Sequence, residues 1–121
     1  MNTALIRKWY DSDINIDEIK NEKIAVIGYG NQGQAQSNNM KDSGLNIIVG
    51  LRKDGESWKK AEADGHKVYE IEKAAEIADI VHILVPDVIQ SDIYTDKIAP
   101  NLKEGNALSF SHGAAIHWKW I

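Results

Sequence analysis

Gly28-Tyr29-Gly30-Asn31-Gln32-Gly33 follows the apolar run "KIAVI" directly and opens a stretch rich in amides. Glycines at this spacing suit one kind of chemistry, the approach of an anion to the main chain. Gly28 permits a tight turn, Gly30 has no Cβ to obstruct a pyrophosphate, and Gly33 lets a following helix pack close, with the free N–H groups of the helix start facing the anion. The same spacing also describes a plain glycine turn. What favours phosphate is the position between an expected strand and an expected helix.

A second group sits where the next strand should end. An acidic residue roughly 20 positions beyond such glycines would bind a ribose 2′-hydroxyl and repel a 2′-phosphate. Arg52 and Lys53 stand there instead. A guanidinium holds a phosphate in a bidentate fork, and Ser57 adds a hydroxyl at the next helix start, so these residues favour NADP(H) over NAD(H). Asp54 lies close by, and the plainer reading of Arg52 and Lys53 is a solvated basic pair. Further along, Pro86 and Asp87 end an apolar run and would lie at the rim beside the nicotinamide half of an extended dinucleotide, although Asp87 equally suits a helix N-cap; Gln90 follows one turn later. Ser111, His112 and Gly113 come after another apolar run, and His112 is the candidate to give or take a proton near neutral pH, against the plainer reading of a structural histidine. His66, His82 and His117 form no pair with ligand spacing and a third donor, so no metal site is expected.

These groups need a scaffold that delivers them to one edge. Short β-branched runs at 23–28, 46–52, 67–71, 79–87 and 106–111 read as strands. Between them, 31–43, 56–65, 72–78 and the segment carrying Ile89, Ile93 and Ile98 read as helices, the first being weakest at Asn38 and Asn39. Strands joined by crossovers of this length pair in parallel, which predicts a single doubly wound α/β domain, mainly parallel, with helices on both faces. Ligands of such sheets bind outside the carboxyl ends of the strands.

Bulk properties narrow the partners. With 121 residues, 43% hydrophobic and 26% charged, the chain has the make-up of one soluble domain. A formal charge of −4 argues against a nucleic-acid surface, and the absence of cysteine rules out disulfides and thiolate chemistry and suits the cytoplasm. The opening "MNTALIRKWYDSD" has no long apolar stretch and reads as lacking a leader, and no segment is expected to span a membrane. Trp9, Trp58, Trp118 and Trp120 read as packing or chain-end residues, since no basic groove accompanies them.

Taken in order, "WYDSDINIDEIKNEKIAVIGYG", "KIAVIGYGNQGQAQ", "GLRKDGESWKKAEADGHKVY", "ADIVHILVPDVIQ" and "IAPNLKEGNALSFSHG" closely resemble the amino-terminal domain of ketol-acid reductoisomerase, from about Trp9 to Gly113. The resemblance implies a Rossmann-like NADP-binding domain spanning 1–121. It also implies an enzyme of valine and isoleucine biosynthesis that acts on 2-acetolactate or 2-aceto-2-hydroxybutyrate, using Mg²⁺ for an alkyl shift and NADPH for the reduction. It assigns Tyr29, Gly30, Asn31 and Gln32 to the cofactor loop and Arg52 and Ser57 to the adenosine-side phosphate. Asp87, Val88, Ile89 and Gln90 fall to the segment beside the cofactor, and His112 to the active-site histidine.

The chain departs from the family pattern at Asn31 (usually Ser), Gln34 (often His), Gly55 (often Ser) and from Ala114 onward. The family's Mg²⁺ ligands come from a helical carboxy-terminal domain expected to lie outside these 121 residues, so this chain alone is expected to hold cofactor without turnover. Self-association through an open sheet edge is a further expectation. Two other readings stay open at this point: a stand-alone dinucleotide-binding regulatory module, and another NADP-dependent dehydrogenase of the same fold.

Overall fold

The structure is a computed structural model that describes residues 6–121. The first five residues of the opening stretch, read above as lacking a leader, lie outside the described part.

Five parallel strands form one sheet: β1 (Lys23–Ile27), β2 (Asn46–Leu51), β3 (Lys67–Glu70), β4 (Ile80–Ile83) and β5 (Ala107–Phe110), in the order β3-β2-β1-β4-β5. The chain first runs outward from β1 to β3, then returns to the other side of β1, so strand order reverses between β1 and β4. Four of the five residues of β1 are buried, as its continuously apolar sequence requires in the middle of a two-sided sheet. Asp79 ties the strand starts together: its carboxylate accepts from the Lys23 N–H at 2.8 Å, its own N–H donates to the Lys23 carbonyl, and its carbonyl accepts from the Ala107 N–H.

Strand alternation sends Ala25 and Ile27 to one face with Val81 and Ile83, under α3 (Ile71–Ile77) and Ile98. The opposite face carries α1 (Asn31–Asp42) and α2 (Glu56–Ala63), with Tyr29, Val49, Leu51 and Ala61 in a second apolar cluster against which Trp58 packs. The predicted weak point of α1 is helical, and there the Asn38 side-chain amide oxygen Oδ1 accepts from His66 Nε2 at 2.7 Å.

Two predicted elements differ. The strand expected over 79–87 ends at Ile83. Its last ladder bond runs from the Leu84 N–H to the Ile27 carbonyl, after which Gly28 turns its partner strand away and Pro86 has no N–H to offer. The helix expected to carry Ile89, Ile93 and Ile98 is α4 (Asp87–Ile93), continued by a π turn (Tyr94–Ile98) and a 3₁₀ turn (Ala99–Asn101). Ile93 and Ile98 are five residues apart, too far for one face of an α-helix, and the wider π turn returns Ile98 to the core, where it is fully buried. After β5 comes the short α5 (Ala114–His117), near which Ile116, Trp118 and Trp120 are exposed. None of the helices among the described residues is long and apolar enough to cross a membrane.

Candidate functional site

The loop from β1 into α1 owes its shape to two glycines. Gly28 has φ +106°, and a Cβ there would press on the Leu84 carbonyl group at 3.1 Å and on Val85 at 3.2 Å. At Gly33 a Cβ would collide with the carbonyl of Gly28, so the first turn of α1 closes onto the loop itself. Gly30 is different: a Cβ there would meet nothing within 4 Å, because that side of the loop is open. It is also the N-cap of α1 and has no side chain to satisfy the N–H groups of the first turn, which leaves them available to an anion.

That open side belongs to a cleft of about 770 Å³ across the carboxyl ends of β1, β2 and β4. Gly28, Tyr29, Gly30, Asn31 and Gln32 line it from the loop, Leu51 and Arg52 from the end of β2, and Ser57 from the first turn of α2. Leu84, Val85 and Pro86 close the side over β4, and α4 contributes Ile89, Asp92 and Ile93. One end therefore combines main-chain donors with a guanidinium and a hydroxyl, and the flank is apolar, a division that suits a nucleotide with charged phosphates and a flat base.

Several residues read as site residues from the sequence lie elsewhere. Gly33 is buried beneath the loop. Lys53 lines a separate hollow of about 260 Å³ with Asp54, Gly55 and Trp58, because the chain turns at Lys53 and Asp54, the latter at φ 67°, and only Arg52 lines the cleft. Asp87 is the first residue of α4, whose N-cap is Pro86, and its carboxylate accepts from Gln90 Nε2 at 3.3 Å instead of capping the helix. Gln90 is buried and also donates to the Val85 carbonyl at 2.9 Å, so it shapes the loop over β4 from below. Val88 is 89% exposed and points away from the cleft lining. His112 is exposed and outside the lining, with Nδ1 accepting from the Ala114 N–H at 3.1 Å. Asp92 and Ile93 were missed from the sequence, although their spacing of three and four from Ile89 is the signal that puts them on its face of α4.

A polar chain joins the loop helix to β5. Gln36 Nε2 donates to Ser111 Oγ at 2.9 Å and to Gln32 Oε1 at 3.3 Å, so its Oε1 accepts from His82 Nε2 at 2.7 Å. His82 Nδ1 then accepts from the Ser109 hydroxyl at 2.9 Å, which fixes a neutral tautomer. Burial lowers the His82 pKa, an effect that the backbone of Ser109, and not its hydroxyl, partly offsets.

A parallel sheet ordered 3-2-1-4-5, with a glycine loop and an open cleft at the point of strand reversal, defines a dinucleotide-binding domain of Rossmann type. Residues 18–121 match the family model for the acetohydroxy acid isomeroreductase NADPH-binding domain, and the chain belongs to that family. It is 64% identical over 117 residues to the ketol-acid reductoisomerase (NADP(+)) of Nitrosopumilus maritimus, a match covering 97% of this chain and 35% of that protein. With the enzyme of the same name from Methanococcus maripaludis strain C5 it shares 60% identity over 116 residues, 96% of this chain and 35% of the relative. The structure of an NADH-preferring ketol-acid reductoisomerase from an uncultured archaeon superposes with a TM-score of 0.88 at 47% identity, over 92% of this chain and 35% of that one. The chain thus spans about a third of the length of the relatives it matches.

Proposed function

We propose that this chain is the cofactor-holding domain of a ketol-acid reductoisomerase, which converts 2-acetolactate or 2-aceto-2-hydroxybutyrate to 2,3-dihydroxy acids in the cytoplasm. The observation that carries this reading is the open side of Gly30 facing the same cleft as Arg52 and Ser57. The residues fit NADPH. The N–H groups of the first turn of α1 receive the diphosphate, Arg52 and Ser57 hold the 2′-phosphate, and Val85, Ile89 and Ile93 supply an apolar flank. Bound NADPH supplies the hydride for the reduction. His112 engages Nδ1 locally, which leaves Nε2 free to exchange a proton with substrate. Among the described residues no three His, Asp or Glu side chains group in the way that holds a metal ion.

Fluorescence titration of the 121-residue chain with NADPH and NADH, followed by a turnover assay with Mg²⁺ and 2-acetolactate, tests this reading. We expect NADPH binding, weaker NADH binding and no turnover. Failure to bind NADPH refutes the cofactor site, and substantial turnover by this chain alone refutes its role as a cofactor-holding part.

A further inference from the structure

Tyr29 lies between Gly28 and the open position at Gly30, yet only 3% of it is exposed. The residue lines the cleft, while its side chain packs in the second apolar cluster and reaches Asp64 and His66 at the end of α2. There the phenol O–H donates to the Asp64 carboxylate at 2.5 Å, and the ring meets His66 edge-on with centroids 5.7 Å apart.

The turn at 64–66 is itself firmly held. Asp64 is the C-cap of α2 and donates its N–H to the Lys60 carbonyl; the Gly65 and His66 N–H groups donate to the Glu62 and Ala61 carbonyls. From α1, Lys41 Nζ donates to the carbonyls of Asp64 and Gly65 at 3.2 and 3.1 Å, Gln34 Nε2 reaches the Asp64 carboxylate, and Asn38 holds His66. By contrast, main-chain bonds flank the glycine loop without crossing it: the Gly28 N–H donates to the Gly50 carbonyl on one side, and the Gln34 N–H to the Gly30 carbonyl on the other. Between these anchors the Tyr29 side chain makes the attachment. The far end of α2 carries Ser57, seven residues and about 10 Å of helix from Asp64.

We infer that Tyr29 and Asp64 are positioning residues for cofactor binding: their bond ties the phosphate loop to α2 and so fixes the spacing between the diphosphate and 2′-phosphate ends of the cleft. This rests on the NADPH reading given above. Burial, together with the bond to Asp64, raises the Tyr29 pKa above its ordinary 10, and the Tyr29 bond is the main cause lowering that of Asp64, so the bond has a neutral donor and an ionised acceptor throughout the neutral range.

The test uses Tyr29→Phe, Asp64→Ala and Asp64→Asn in the 121-residue chain. NADPH is compared with adenosine 2′-monophosphate, which lacks the diphosphate. Tyr29→Phe and Asp64→Ala should weaken NADPH about tenfold and leave adenosine 2′-monophosphate within about twofold. Asp64→Asn keeps a carbonyl acceptor and should restore most of the loss. Independently of any ligand, ¹⁵N order parameters of amides 29–31 should fall from about 0.85 toward about 0.6 in the first two variants and recover in the third. Equal loss of both ligands, which marks general destabilisation, overturns the inference, as do unchanged order parameters in Tyr29→Phe. A wild-type chain that ignores NADPH refutes the function proposed above, while the order parameters still decide whether Tyr29 holds the loop.

Discussion

The rim over β1 and β2 and the rim over β5 carry the two chemistries expected of this chain, and they are built differently. Over β1 and β2, main-chain geometry itself forms the cradle: Gly28 in a left-handed conformation, Gly33 pressed onto the Gly28 carbonyl, and Arg52 and Ser57 aimed at one cleft. Over β5, His112 is exposed, bonded to the turn that follows it, and neighboured by exposed Ile116 and Trp118. A phosphate site made of backbone is complete once the loop folds. An exposed imidazole has no such preorganisation, and this contrast is why binding, but not turnover, is assigned to the chain by itself.

The contrast is tested most severely at Gly33. Gly33→Ala forces a Cβ into backbone, which should destabilise the domain by about 3 kcal/mol in urea unfolding and abolish NADPH binding in a fluorescence titration. Arg52→Glu should leave folding intact and invert the NADPH-to-NADH preference, lowering the affinity ratio about 100-fold; an unchanged ratio would remove Arg52 from the 2′-phosphate site. Gly30→Ala separates binding from folding within the same loop, because its Cβ enters open space. Its stability should stay within about 0.5 kcal/mol of wild type, while NADPH affinity falls about thirtyfold.

A smaller effect is expected with pH. Burial is the main cause lowering the pKa values of His66 and His82 below their ordinary 6.5, so the unfolded chain binds protons more readily than the folded one. The stability gained from keeping these rings neutral is complete above pH 6.5 and is lost as pH falls through that value toward their folded-state pKa values. Urea midpoints should therefore drop between about pH 7 and about pH 5.5, and replacing both histidines by Gln should flatten that slope. The smallest effect belongs to the β5 rim. His112→Ala should change both NADPH affinity and stability by no more than about twofold and about 0.5 kcal/mol, and a large loss of affinity would show that the two rims are not separate.

Much of this contrast was legible in the residues. Continuous β-branched runs, with Gly44 and Gly65 ending the helices between them and Pro86 ending a strand, marked the alternation of strands and helices, and the glycine spacing marked the loop, because each reflects local main-chain preference. Side-chain direction was not legible at this level. Tyr29 sits in the middle of the loop, yet its ring is buried behind it by Asp64 and His66, two residues more than thirty positions away in the chain. The same holds for Arg52 and Lys53, which only the exit geometry of β2 separates, and for Asp92, which reaches the cleft through the setting of α4. The end of β4 depended on where its partner β1 turned away, and the π turn on a core position for Ile98. Both are tertiary demands that override local spacing.

A ¹H–¹⁵N NMR titration of the 121-residue chain with NADPH tests the central claim most directly. The account predicts that the largest saturable shifts fall on the amides of Gly28, Gly30, Asn31, Gln32, Arg52 and Ser57, with smaller changes at His112 and Gly113. Unmoved amides in the glycine loop, or shifts concentrated away from the ends of β1 and β2, would contradict it.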